Sequence, residues 1–263
     1  MTDPRPRPTT AARAAIRGAR LFPALVSIAA TLLALAAPQA RADAPPKDRF
    51  PTRAPLEAYL MPRDAEIALA RSAGPESVTK DAEVLVLTDH GYETAVPGHN
   101  GYVCVVERLW TASSDDAEFW NPRGRGPICF NPAGARYCVP LLKMRTALFL
   151  AGKSKEEIVA AMQASYLAGE FPPLENGAMC FMLSKQGHLN DAAGHWHPHL
   201  MFYGPVEAAK DWGTNLPGSP VVGGVNDIDH VTIFMVPVRK WSDGTSDIQP
   251  NEVCDPAAAA GKK

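Results

Sequence analysis

The chain has 263 residues and nearly balanced charge, 26 Lys and Arg against 28 Asp and Glu. Six of the Arg and one Asp fall in the first 42 residues, so the remainder holds 20 basic and 27 acidic side chains, a net charge of −7. An acidic body without a basic cluster argues against nucleic acid and against an anionic membrane surface as partners.

The first 42 residues have the make-up of a cleaved export signal. Arg5, Arg7, Arg13, Arg17 and Arg20 form a basic leader, Leu21 to Ala37 is apolar, and Ala40-Arg41-Ala42 is a small-x-small cleavage site before Asp43. The apolar run covers 17 positions and is interrupted by Pro23, short for a membrane span. The expected address is the periplasm or the medium of a bacterium. Residues 43–55 are Pro-rich and charged with no apolar period, which predicts a linker. About 220 residues follow the leader, enough for one sizeable core, expected over residues 56–254 with residues 255–263 as a disordered tail.

Leu56, Tyr59, Leu60, Ile67 and Ala70 recur at helical spacing, broken by Pro62 and stopped at Gly74-Pro75. Glu83 to Thr88 reads as a buried strand. Tyr92 to Val96 and Tyr102 to Trp110 read as a hairpin around Pro97-Gly98-His99-Asn100-Gly101. In its second strand Glu107 falls on an otherwise apolar face with Val103, Val105 and Leu109. The expectation there is a charge at the wet end of the strand, with a buried ligand or base as the alternative.

From Asp115 to Pro140, Asn-Pro, Arg-Gly and Gly-Pro pairs predict loop. Pro140 is placed to open a helix that ends before Gly152. Ser154 and Glu157 make a capping box for a second helix that turns Ile158, Met162, Tyr166 and Leu167 inward before Gly169. Ala178 to Ser184, Leu200 to Tyr203 and Val231 to Val238 complete the strands. Strands at both ends and a helix pair between them predict an α+β domain, its largely antiparallel sheet packed on one side by helices and joined by long Pro/Gly-rich loops.

Three histidines alternate in Gly194-His195-Trp196-His197-Pro198-His199. In extended backbone His195, His197 and His199 share a face, the sharpest sign of a metal site in the chain. Neighbouring pairs then lie ~6.6 Å apart and the outer two ~13 Å. With Zn–N bonds of about 2 Å, one ion readily takes two of them and only with strain all three. His188, Asp191, Cys180 and Met201 are nearby candidates to complete the shell, and imidazole with thioether or thiolate favours zinc or copper. A metal carrier and a metal-assisted hydrolase fit equally, the latter with Asp191 or Glu107 as base. The metal-free alternatives are a cell-envelope interaction protein and an acyl-transfer enzyme in which Cys180 and a His form the nucleophile and base. A small molecule or a metal ion is the expected partner.

Five cysteines, Cys104, Cys129, Cys138, Cys180 and Cys254, would meet an oxidising compartment after export. Cys129 and Cys138 flank a turn-rich stretch and are expected to pair locally. Finally, Met182-Leu-Ser-Lys-Gln-Gly-His-Leu-Asn-Asp191, Gly194-His-Trp-His-Pro-His-Leu-Met-Phe-Tyr203, Asn215-Leu-Pro-Gly-Ser-Pro220 and Lys240-Trp-Ser-Asp-Gly244 resemble segments of a group of exported bacterial proteins of unassigned function. The resemblance covers residues 56–245 and implies a bacterial periplasmic address, without implying a reaction.

Overall fold

A computed structural model of the chain describes residues 49–191 and 196–247. The leader, residues 43–48, His195, Cys254 and the C-terminal tail lie outside the described residues. Among the described residues eight strands form one sheet: β1 Glu83–Thr88, β2 Gly91–Val96, β3 Val103–Glu107, β4 Gly126–Phe130, β5 Met179–Met182, β6 His199–Gly204, β7 Val222–Asn226 and β8 Val231–Pro237. Their order is β2-β1-β3-β4-β5-β6-β8-β7. Only β1 and β3 run parallel. The α+β class and the largely antiparallel sheet expected from the sequence are therefore present.

The expected hairpin around residues 97–101 is corrected. β2 turns back on β1 at Asp89-His90, where the Thr88 hydroxyl accepts from His90 N at 3.1 Å and Gly91 takes a φ of 114° that favours glycine. The 97–101 segment instead folds over the start of β1. A Cβ at Gly98 would sit 2.0 Å from Glu83 N, so only glycine permits that close approach. β3 then enters on the far edge of β1.

Among the described residues four α-helices pack on this frame: α1 Arg63–Arg71, the single turn α2 Glu76–Thr79, α3 Pro132–Leu150 and α4 Lys155–Leu167. Pro62 stands just before α1, as its missing N–H predicts. The capping box of α4 forms as read, with Ser154 Oγ accepting from Glu157 N and Glu157 accepting from Ser154 N. Ile158 and Met162 are fully buried, whereas Tyr166 and Leu167 face solvent. The start of α3 moves eight residues upstream of the expected one, because Asn131 caps it through Gly134 N at 2.8 Å and Pro132 occupies its first turn. Pro140 lies inside the helix, which forgoes one backbone hydrogen bond there. β4 and the first turns of α3 thus occupy a region that turn residues marked as loop.

Side chains alternate between two cores. On one face Leu85, Leu87, Val105, Ile128 and Phe130 meet Leu141, Leu142 and Phe149 of α3, with Trp110 stacked on Phe149 at 3.9 Å. On the other, Val84, Cys104, Val106 and Cys129 meet Leu69, Ala70 and Ala73 around α1. Cys104 and Cys129 face each other in the β3–β4 register and form a disulfide. Cys138 is a free thiol on α3. The expected Cys129–Cys138 pairing fails because a strand and the helix that follows it point those two side chains into different layers.

The expected linker is also revised over residues 49–55. Arg49 N donates to Ala117 O at 3.0 Å, the Arg49 guanidinium to Glu118 at 2.9 Å, and Arg53 to Phe149 O at 2.5 Å. Phe50 and Ala54 pack on the larger core. No helix among the described residues is long and apolar enough to cross a membrane.

Candidate functional site

Glu107 ends β3, and strand alternation puts it on the α3 side of the sheet while its neighbour Arg108 turns the other way. The Arg108 guanidinium is fully buried, donating to Glu66 Oε1 at 3.0 Å, to Tyr59 O at 2.9 Å and to Val106 O. No cation is thereby aimed at Glu107 from its own strand. Opposite Glu107 in the β4 register stands Gly126, which leaves the floor open beside the carboxyl.

That opening belongs to a cleft of about 280 Å³, close to the small end of the range for ligand sites. Its floor is Met182, Met201, Ile233 and Met235 on β5, β6 and β8. Its walls are the 108–113 segment, Leu189, and Gly224 and Val225 of β7. Behind it lies an inner chamber of about 60 Å³, room for about two waters. Glu107, Thr111, Met201, Asn226 and Ile233 line both spaces, so Glu107 stands at their junction.

Burial raises the Glu107 carboxyl to about 7; Asp229 pushes in the same direction and Arg145 opposes. The residue surface is only half-buried because it opens on the cleft, but the surrounding protein shields the carboxyl from bulk water. The Thr111 hydroxyl lies 3.4 Å from Glu107 Oε2. Arg145 of α3 spans Asp229, at 3.1 Å to each oxygen, and the carbonyls of Trp110, at 2.6 Å, and Ala112. Tyr137 donates to Asp229 O at 2.7 Å, and Ser114 holds Asp227. These bonds lock the β7–β8 turn to the helical layer and shape the chamber. Thr111, Gly126, Arg145 and Asp229 were not singled out in the sequence. A lone Arg within the apolar Leu141-Leu-Lys-Met-Arg-Thr-Ala-Leu-Phe-Leu150 run was the available signal.

The histidine segment is split. His197 and His199 line a small pocket with Trp196, Met182, Ser184 and Leu189. His199 is buried, with Nδ1 2.8 Å from His197 O, and burial lowers its pKa, so the ring is neutral with a lone pair on Nε2. His197 Nδ1 lies 2.5 Å from Asp247 Oδ2. His188 is elsewhere, its Nε2 2.8 Å from Asp191 Oδ1. Burial would raise Asp191, but His188, Asn121 and Arg123 together hold it below the usual carboxylate range. Its backbone N–H donates to buried Glu118 at 2.7 Å. An anion so fully paired is a poor base. Among the described residues, no group of three or more His, Cys, Asp and Glu is gathered to hold one ion.

Cys180 is buried between Phe130 and Met201 in the strand register, with its sulfur 3.3 Å from the Tyr203 hydroxyl. Burial drives its thiol pKa far upward, and that of Cys138 likewise. Neither has the character of a nucleophilic thiolate.

The chain matches no family model, no curated protein and no solved structure. The site is therefore read from its own chemistry.

Proposed function

We propose that the protein binds a small, largely apolar organic molecule in the cleft over β3 to β8, with Glu107 contacting its polar end. The observation that carries this reading is a single carboxyl, poised near neutrality, where a methionine-rich apolar cleft meets its inner chamber. Such a site buries a hydrophobic body and fixes its orientation with one polar contact. A carboxyl half-ionised near neutral pH also suits general acid–base work on a bound molecule.

Gly224 lines the cleft and a Cβ there meets nothing within 4 Å, so Gly224→Trp fills it without crowding the fold. A neutral, environment-sensitive apolar dye is expected to bind the wild type and to lose binding in this variant at unchanged circular dichroism. Dye binding that survives Gly224→Trp would remove the cleft from the reading.

A zinc or copper site at His197 and His199 is the second reading. It is favoured by their Nδ1 atoms meeting oxygens of Asp247 and of the backbone, the outer contacts that orient metal-bound imidazoles. Elemental analysis after reconstitution, with His199→Ala as control, tests it. Less than about a tenth of an equivalent in the wild type ends it. In either reading the leader carries the protein out of the bacterial cytoplasm, and a chain recovered from the periplasm is expected to begin at Asp43.

A further inference from the structure

We infer that the ligand of the Glu107 cleft carries an ammonium group, seated at the mouth of the inner chamber with its apolar chain along the methionine floor. The inference rests on the cleft reading and goes beyond it by giving the polar end a sign. The charges around the chamber decide that sign. Arg145 faces it from α3 with both terminal nitrogens on Asp229 and on the carbonyls of Trp110 and Ala112, leaving only Nε without a partner among the described residues. Burial raises the Asp229 carboxyl and Arg145 opposes that rise, so the cation is answered by its own partner. Cys138, Tyr203 and Cys180, from α3, β6 and β5, all have their pKa raised by burial and stay protonated, as does Tyr92 of β2, whose hydroxyl donates to Val106 O. Arg108 borders the cleft, but its guanidinium is buried on Glu66 and on the carbonyls of Tyr59 and Val106. Ionised Glu107 therefore leaves one unbalanced negative charge.

The carboxyl's only hydrogen-bond donor among the described contacts is the long Thr111 contact of 3.4 Å, so it enters the cleft with acceptor capacity to spare. Asp227, in the turn beside the lining residue Asn226, adds negative potential at the rim; burial would raise it, but its bonds from Ser114 keep it ionised. An ammonium supplies three donors and the missing charge. A carboxylate ligand would meet the Glu107 charge, with the nearest cation, Arg145, already paired with Asp229. The methionine thioethers accept alkyl chains of varied shape.

Calorimetric titration of the full mature chain with n-hexylamine, n-hexanol and hexanoate tests this. At about pH 8, hexylamine is expected to bind at least about tenfold tighter than hexanol, with hexanoate weakest. At about pH 5.5, where Glu107 is protonated, and in Glu107→Gln at either pH, the preference for the amine is expected to vanish while hexanol binding persists. Hexanol binding as tightly as hexylamine at pH 8, or a preference untouched by Glu107→Gln, overturns the ammonium while leaving the cleft intact. Failure of all three probes to bind, or binding unaffected by Gly224→Trp, overturns the cleft reading and this inference together.

Discussion

Glu107 carries a stability signature as well as a functional one. Its folded-state pKa, raised to about 7 from an ordinary 4.5, means that the native protein holds a proton the unfolded chain has already lost between those values. Native stability therefore falls as pH rises through this window, and above about 7 the full cost of an ionised buried carboxylate is present, on the order of 3 kcal/mol. Below about 4.5 both states are protonated and the cost is gone. Glu107→Gln removes the titration, so its urea midpoint is expected to exceed that of wild type at pH 8 and to approach it at pH 4.5. A pH-independent difference between the two proteins would show that burial does not perturb this group. The residue was legible in the sequence as an acid on an apolar strand face. Its depth was not, because the 109–113 segment and the β7–β8 turn that shield it come from distant parts of the chain.

At the level of single elements, local signals read well and pairings across space did not. The Ser154 cap is complete within four residues, and Ser154→Ala is expected to cost about 1 kcal/mol in a urea melt. The cysteines show the opposite case. Spacing alone favours the shorter Cys129–Cys138 loop, but the bond follows strand register, which joins Cys104 to Cys129 across 25 residues. Closing a loop of that size contributes about 3 kcal/mol in the chain-entropy account. Cys104→Ser with Cys129→Ser is expected to lose about that much, with the loss reproduced in wild type by reductant. Native Cys138 and Cys180 are expected to resist thiol labelling until the protein unfolds, since burial keeps both thiols protonated. The hairpin expected between β2 and β3 fails for a related reason: a parallel partner for β1 has no turn signature of its own. Strands β4 and β7 escaped notice because one begins Gly-Pro amid turn residues and the other contains Gly223-Gly224.

Across the whole molecule, the cleft exists because two distant segments are tied down over one sheet face. α3 holds both: Arg145 binds the carbonyls of Trp110 and Ala112 at one wall and Asp229 in the β7–β8 turn at the other. Without that fork, β7 is an edge strand with two glycines, held by β8 and by Asn215, whose amide bonds both Gly223 N and Gly223 O. Arg145→Ala would leave Asp229 in the chamber without its cation and two carbonyls without their donor. Because Asp229 keeps partial solvent access, the expected loss is about 2–4 kcal/mol, toward the lower part of the range for breaking a buried pair. The loss is expected to be uneven. Amide exchange should accelerate across residues 222–237 and 109–114 while β1, β3 and β4 keep their protection. Arg145→Lys, a point charge without the fork, should recover only part of it. If exchange instead rises evenly over the sheet, Arg145 supports the core as a whole. The two walls would then not move as a unit, and ligand affinity should drop only in proportion to stability. A local response predicts more: the open cleft should release its ligand faster in Arg145→Ala even where the fold is still fully populated.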